Sequence, residues 1–451
     1  MNTASPETQA FPHFFSTPTW GTIEDASWDA ERLDIARRNG RALIVPSWVH
    51  TPFVARCVPP LDASDGRSTE HSPLIKRLVF DMLARSPRFD PNEPIPGEAV
   101  RSVLLFRYDA IGDYIVTTPL VEWLRRALPQ AHVTVLSSTR NERLIEQDPH
   151  IARTVAIHPR HGFHISWLRA IARLGGDYDV VFALMFTRMT KAALLARAIA
   201  PEAELVAPWH HERAALYGKV FHRQPRHYPG REHWSQTLLR MGQETIAPAT
   251  SIEQTPRQYV PLAPGACRKV WQWSSARGLG TVQPAVPLCW ARDAEPIAWQ
   301  MLSGNPYAVV NLSAYSPNRR WQPDHAQSVL QQLLDCFPHM AFVVTAAPSQ
   351  WDEARLVVER LAHPRCHVFF GSVEELVALV AGSAWVLSPD TAAIHIAAAL
   401  GKPVVGLYAE LIKVAEWYPF GVPFVVVLSP SEESICRIPP LAVVEACLRV
   451  C

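Results

Sequence analysis

The chain has 451 residues, 48% hydrophobic and 19% charged, with 43 Lys and Arg against 42 Asp and Glu. A length of this order suits two or three domains, each with its own core. The formal charge of +1 lacks the positive excess of proteins that track nucleic acid, so no nucleic-acid partner is expected. Eight cysteines are scattered without a CxxC pair, a pattern of free thiols in a reducing cytosol, not of a disulfide framework or zinc site. Cys447 and Cys451 share a helix face near the end of the sequence, and two thiols alone make a poor metal site. The start, MNTASPETQAFPHFF, is polar and proline-broken. No run reaches the ~18 apolar residues of a membrane span, so a cytoplasmic location is expected.

Residues 1–97 read as an extension of unknown role, holding an apolar run at Arg41–Val45, a short amphipathic helix at Leu74–Ala84 and the proline-broken SPRFDPNEPIPG. An accessory layer packed on the first domain is the expectation. From Arg101 the pattern changes. SVLLF (Ser102–Phe106) reads as a buried strand, followed by the loop RYDAIGDYIVT, with Thr118 and Pro119 as N-cap and first residue of a helix. Further strands are expected at His132–Ser138, Thr154–His158 and Asp179–Phe186, with helices between them. Such alternation implies βαβ units and a parallel sheet, with ligands at the carboxyl ends of its strands.

The boundaries expected are 98–255 for a first Rossmann-like domain, 256–305 for a proline-rich connection and 306–451 for a second one. In the latter, strands are expected at Tyr307–Ser313, Ala341–Ala347, His367–Gly371, Ala384–Ser388 and Val404–Tyr408. Two α/β sheets joined this way imply a cleft between domains, where small-molecule sites form.

Three clusters carry chemistry. In SPDTAAIHIAAALGKPVVGLY, Asp390 is a natural N-cap, Ala392 and Ala393 are small first-turn residues, and Gly401 is a natural helix stop. The N–H groups and positive dipole end of such a helix suit a diphosphate; on spacing alone a well-capped helix between buried strands is the plainer reading. In NLSAYSPNRRWQPDH, Ser313, Ser316 and Arg319 follow a strand, and hydroxyls beside a guanidinium hold phosphate oxygens. A solvated Arg pair beside a Trp is the alternative. In RYDAIGDYIVTTP, Gly112 permits a tight turn and Asp113 stands at a strand–loop–helix junction, where a carboxylate could accept a proton from an acceptor hydroxyl. Asp109 competes for that role, and a loop-capping Asp is the plainer reading.

Together the clusters resemble glycosyltransferase family 9, the heptosyltransferases of lipopolysaccharide-core assembly, over some 350 residues from about Val100 onward. The first motif is carried by Arg107, Ala110, Ile111, Gly112, Asp113, Thr117, Thr118 and Pro119, and the late motif by Asp390, Thr391, His395, Ala397–Gly401 and Pro403. In the middle motif Arg319 stands where the family has Lys. The resemblance implies a GT-B α/β fold, two Rossmann-like domains facing a central cleft, and inverting, metal-independent transfer from an ADP-heptose with no other cofactor. It implies Asp113 as general base, with Arg107 and Gly112 supporting its loop. Ser313, Ser316, Arg319, Asp390, Thr391, Ala392, Ala393 and His395 would bind the donor. Gln350 stands near a position where the family tends to place a ribose-binding Glu. The acceptor would be a lipopolysaccharide-core or related glycan, reached by a cytoplasmic enzyme with a peripheral contact at the inner membrane.

Departures from the family pattern are Ala392 for Gly, Arg319 for Lys, and Tyr408-Ala409-Glu410 where a Gly-Pro-Thr loop is usual; they bear on the donor's identity more than on the reaction. Rival readings are a GT-B nucleotide-sugar hydrolase or epimerase, and a non-catalytic nucleotide-sugar-binding protein. Asp177-Tyr178-Asp179 spells a DxD metal motif at the start of a buried strand and is set aside, as is the cluster His158, His161 and His164. His210-His211-Glu212 and the stretch Arg223–His233 read either as facing an anionic acceptor or as solvated basic loop.

Overall fold

The computed structural model describes residues 19–25, 27–58, 74–159, 164–185, 189–209, 213–228, 230–280, 282–284, 299–301 and 304–450. Two sheets organise them. The first has five parallel strands in the order Arg153–Ile157, His132–Ser138, Ser102–Arg107, Val180–Ala183, Glu204–Val206. The connection from each strand to the next carries a helix, as right-handed βαβ crossovers require. The buried run VLLFR in the central strand is continuous, not alternating, because helices cover both faces.

The second sheet has eight strands in the order Trp20–Thr22, Ala42–Pro46, Phe424–Leu428, Val404–Tyr408, Val386–Pro389, Tyr307–Asn311, Ala341–Thr345, Cys366–Val368. All its pairings are parallel except Ala42–Pro46 against Phe424–Leu428. The extension therefore does not pack on the first domain as a layer. Its run ALIVP, buried at every position, completes the far edge of the second sheet, and Trp20 Nε1 and Thr22 Oγ1 donate to Glu445 of the Pro440–Val450 helix at 2.6 and 3.1 Å. Only the part from Leu74 onward rests on the first domain: the Leu74–Leu83 helix inserts Phe80 beside Tyr217, Arg88 pairs with Asp179, and Ile95–Pro96 pairs with Ile246–Ala247. The strand Phe424–Leu428 itself was not foreseen, although FVVVL is wholly apolar. The connecting region holds a helix, Pro264–Ser275, and a short pairing of Val282–Pro284 with Trp299–Met301.

One helix starts well before its expected place. It runs from Ile111 to Ala127 and contains Pro119 in its interior, where a proline removes the hydrogen bond to residue i−4. The orphaned acceptor is Ile115 O, and the Thr118 hydroxyl donates to it at 2.7 Å. The same oxygen of Thr118 accepts the Tyr259 N–H at 3.0 Å. The Thr-Pro pair is thus a repaired interior step and not a helix start. No helix among the described residues is long and apolar enough to cross a membrane.

Candidate functional site in the interdomain cleft

The site forms where the carboxyl ends of both sheets face each other. On the first-domain side, Arg107 ends its strand completely buried. Its Nε donates to Asp113 O at 2.7 Å, its Nη1 to Leu184 O, and its Nη1 lies 3.2 Å from Asp109 Oδ2. Asp113 falls in the first turn of the Ile111 helix, with Oδ2 accepting the Ala110 N–H at 3.0 Å and Oδ1 3.9 Å from Arg107 Nη2. A carboxylate near a helix N-terminus is stabilised as the anion. Asn141 fastens this loop: its Nδ2 donates to Arg107 O at 2.8 Å and its Oδ1 accepts the Ser138 N–H at 2.9 Å. Nothing in the spacing of the sequence pointed to Asn141.

On the second-domain side, Thr391 and not Asp390 caps the helix Ala392–Ala399, accepting the Ala393 N–H. A threonine's β-branched hydroxyl serves there as well as a carboxylate. Gly401 holds φ +70° at the helix end, a left-handed conformation that glycine adopts without strain. Asp390 is buried and accepts Arg319 Nη1 at 2.7 Å, while its main-chain oxygen accepts the same nitrogen at 2.8 Å. Burial raises the Asp390 pKa above its ordinary value, against the opposing pull of Arg319 and Lys413. Ser313 and Thr391 belong to one network through Asn311, whose Nδ2 donates to Thr391 Oγ1 and Ser388 Oγ at 3.0 Å each and whose Oδ1 accepts from Ser313 Oγ at 2.9 Å. Asn311 and Ser388 are further residues that sequence reasoning missed. Gln350 is buried and reaches back to the same loop, its Oε1 accepting the Ala314 N–H at 3.2 Å. Ser316 is half-buried where the turn bearing Arg319 begins.

The two sides touch. A Cβ on Gly112 would sit 3.0 Å from His395 Cδ2 and 3.4 Å from Ala392 Cα, so only glycine lets the two helix starts meet this closely. His395 is buried; burial holds its pKa down at about 4, with Asp113 pulling the other way. Across the cleft mouth, Arg140 lies over the ring of the exposed Tyr315 at 5.5 Å. Behind the site, Glu416 accepts from Trp234 Nε1 at 3.2 Å and lies 3.1 Å from His227 Nε2, joining the domains through buried polar contacts. Three buried polar atoms in this cleft lack a hydrogen-bond partner: Arg319 Nε, Gln350 Nε2 and His395 Nδ1. Buried donors left open in this way mark a place for a polar ligand.

The remaining sequence candidates lie elsewhere. Asp179 sits at the amino edge of the first sheet, where burial raises its pKa but the Arg101 and Ser102 N–H groups, the Ser102 hydroxyl and Arg88 prevail and hold it low. Its oxygens are structural. His158 and His164 stack at 4.8 Å, and His164 Nδ1 caps the helix Ile165–Leu174; His161, His210, His211 and Glu212 lie outside the described residues. The Arg223–His233 stretch is mixed: Arg223, His227, Gly230 and His233 are buried, whereas Arg226, Tyr228 and Arg231 are exposed. Arg223 pairs with Glu204 and donates to Asp90 and Glu93 carbonyls, and His233 caps the helix Trp234–Thr245. Among the described residues, no three His, Cys, Asp or Glu side chains are grouped as a metal site.

The family model for glycosyltransferase family 9 (heptosyltransferase) matches residues 167–438. The chain belongs to this family. It is a glycosyltransferase with the GT-B fold. Asp113 lies ahead of the matched span, and the Arg319, Gln350 and Asp390–His395 side lies within it. Solved structures agree on the fold. A family 9 glycosyltransferase from Veillonella parvula superposes with a TM-score of 0.58 at 15% identity, covering 78% of this chain and 97% of its own. E. coli heptosyltransferase WaaC with ADP gives 0.57 at 16%, covering 78% and 100%. E. coli ADP-heptose lps heptosyltransferase II gives 0.55 at 15%, covering 77% and 98%. No curated protein sequence matches the chain.

Proposed function

We propose that the enzyme transfers a heptose, with inversion, from an ADP-heptose to a hydroxyl of a lipopolysaccharide-core or related glycan acceptor. The observation that carries the reading is the meeting of the Ile111 and Ala392 helix starts at Gly112. It brings the carboxylate of Asp113 and the phosphate-suited end of the second helix to one point. In this reading Asp113 takes the proton of the acceptor hydroxyl as its oxygen attacks the anomeric carbon. The bond from that carbon to the β-phosphate oxygen breaks, and the nucleoside diphosphate leaves with its electron pair. Negative charge grows on the leaving oxygens, and the N–H group of Ala392 at the helix start with the Arg319 guanidinium stabilises it. The unpartnered Gln350 Nε2 and His395 Nδ1 supply donors for ribose or sugar oxygens. The neutral imidazole favoured by burial suits a hydrogen bond to an uncharged sugar hydroxyl. Asp113 is preferred to Asp109 as base because Asp109 is drawn into the ion pair with the buried Arg107 at 3.2 Å.

The test is Asp113→Asn assayed with ADP-heptose and a truncated lipopolysaccharide acceptor, with mass spectrometry of the product and calorimetric titration of ADP. Transfer is expected to fall by at least ~10³-fold, with ADP affinity within a factor of about two. Unchanged turnover in this variant would move the base to another residue. Sugar release by the wild type without any acceptor product would turn the reading toward a hydrolase.

A further inference from the structure

The Leu74–Leu83 helix is amphipathic but turned the unusual way. Of its large apolar side chains only Phe80 is fully buried, whereas Leu74, Ile75, Leu78 and Met82 are 72, 77, 54 and 77% exposed. Their spacing places them on one outward stripe. The surface continues sideways: the helix packs against Met189–Ile199, which in turn packs against Ile165–Leu174. These neighbours present Leu194, Ile165 and Leu168 to solvent as well. Three adjacent helices therefore expose seven large apolar side chains in one band, more than the single scattered ones a protein surface normally shows.

Connectivity fixes where the band lies. The helices Ile165–Leu174 and Met189–Ile199 follow parallel strands and so begin at the carboxyl edge of the first sheet, the edge that carries Asp113. The Leu74–Leu83 helix leads to Arg88, which pairs with Asp179 at the amino edge, so its Leu74 end points back toward the cleft. The band thus climbs the outer flank of the domain that holds Asp113.

Cations predominate in its surround. Lys76 and Arg77 lie in the helix, Arg85 follows it, and Arg169 and Arg173 stand on the neighbour. The helix's acidic residue, Asp81, is paired with Lys219. A pocket of about 330 Å³ opens at the end of the helix, lined by Arg85, Arg88 and Arg197 together with Glu202. A chain whose formal charge is only +1 has gathered cations here. Two copies meeting through this face would set these cations against one another. A lipid surface with anionic headgroups satisfies both parts at once, as interfacial helices do with an apolar face in the acyl boundary and a basic fringe on the phosphates.

We propose that this band is a docking surface for an anionic phospholipid bilayer, with the Leu74–Leu83 helix lying in the interface plane. In locating a membrane-borne acceptor the proposal rests on the function proposed above; the binding itself is independent of catalysis.

The experiment is co-sedimentation of the full chain with vesicles of phosphatidylcholine alone and of phosphatidylcholine mixed with phosphatidylglycerol. It compares wild type with Ile75→Glu/Leu78→Glu and with Arg169→Gln/Arg173→Gln. Wild type is expected to bind the mixed vesicles and to release as salt rises. The Glu pair should lower partitioning at least about tenfold, two lost apolar insertions being ample for that. The Gln pair should weaken binding to mixed vesicles only. Both variants should keep the wild-type melt and its turnover on a soluble acceptor fragment, which separates loss of docking from loss of folding and from failure of the transfer reading. Equal partitioning of all three proteins, or absence of wild-type binding to mixed vesicles, overturns the proposal. So does a wild-type dimer in sedimentation velocity that the Glu pair dissolves, because the band would then be a contact between copies.

Discussion

Replacing Arg319 by Ala separates two roles of one guanidinium. In the folded protein its Nη1 lies 2.7 Å from Asp390 Oδ2. At an effective dielectric near 20 the gross attraction at that distance is about 6 kcal/mol. Desolvation offsets much of it, and the Arg319 side chain is 23% exposed, so water screens part of the remainder. A net loss of about 2–3 kcal/mol is expected, mostly from leaving a buried carboxylate unpaired. That origin gives the loss a pH signature. Burial already holds the Asp390 pKa above its ordinary value of 3.8 with Arg319 in place, and without Arg319 it rises further. A carboxyl with a raised folded pKa binds more protons folded than unfolded. The penalty is therefore absent below the unfolded value, grows as pH rises toward the folded one, and is constant above it. Thermal and urea melts of wild type, Arg319→Ala and Arg319→Ala/Asp390→Asn across pH 4–8 read this directly. The double variant should recover most of the neutral-pH loss. In parallel, ADP binding of Arg319→Ala should fall by about tenfold or more while adenosine binding barely changes, as loss of a phosphate contact requires. Equal stability at every pH, or a double variant no better than the single, refutes the reasoning that the loss comes from leaving the buried Asp390 without its partner.

Three further outcomes follow from the geometry. Gly112→Ala should cost ~1–3 kcal/mol or hold the domains apart, because its methyl meets His395 Cδ2 at 3.0 Å; a melt and turnover like wild type would show that the cleft absorbs a methyl freely. Thr118→Val should destabilise by ~2 kcal/mol, leaving Ile115 O and the Tyr259 N–H unpaired, while Thr118→Ser stays near wild type in urea melts; equal stabilities of Val and Ser would show that the hydroxyl repairs nothing. Burial holds His50 and His395 each at about 4. The folded protein then binds fewer protons than the unfolded chain, so this contribution is intact above about 6.5 and is lost as pH falls from there toward 4. At most it is on the order of 3 kcal/mol for each histidine. His50→Gln, which can still donate to Val414 O, should flatten the acid limb of stability against pH, and an unchanged limb would assign it to other groups.

The sequence displayed its alternating strands because buried parallel strands are unbroken apolar runs: His132–Ser138 and Val404–Tyr408 fall where their residues imply. It misled at Pro119, where the rule that proline opens a helix is overridden by a single hydroxyl. Asp390 and Thr391 are both good caps, and the choice between them depends on Arg319 engaging Asp390 from 71 positions away. Asn311, at a strand end, and Asn141, in a turn, were invisible because a lone asparagine belongs to no periodic pattern. Glu416 and His227 meet across 189 positions, and no local pattern records such a pairing. Of the site, then, the charged and small residues at strand ends could be read, and the amides that orient them could not.

The placement of the extension bears on how the protein comes to be folded during synthesis. Trp20 and Thr22 emerge among the first residues, yet their partner Glu445 follows 425 positions after Trp20, and the strand Ala42–Pro46 waits for Phe424–Leu428. At about 5–20 residues per second, the wait lasts roughly 20 to 80 s. Throughout it, one edge of the apolar strand ALIVP has no mate, and for the later part of it the five-stranded domain between them is already made. A segment made early is thus among the last to find its place, and the half-made chain needs shielding there.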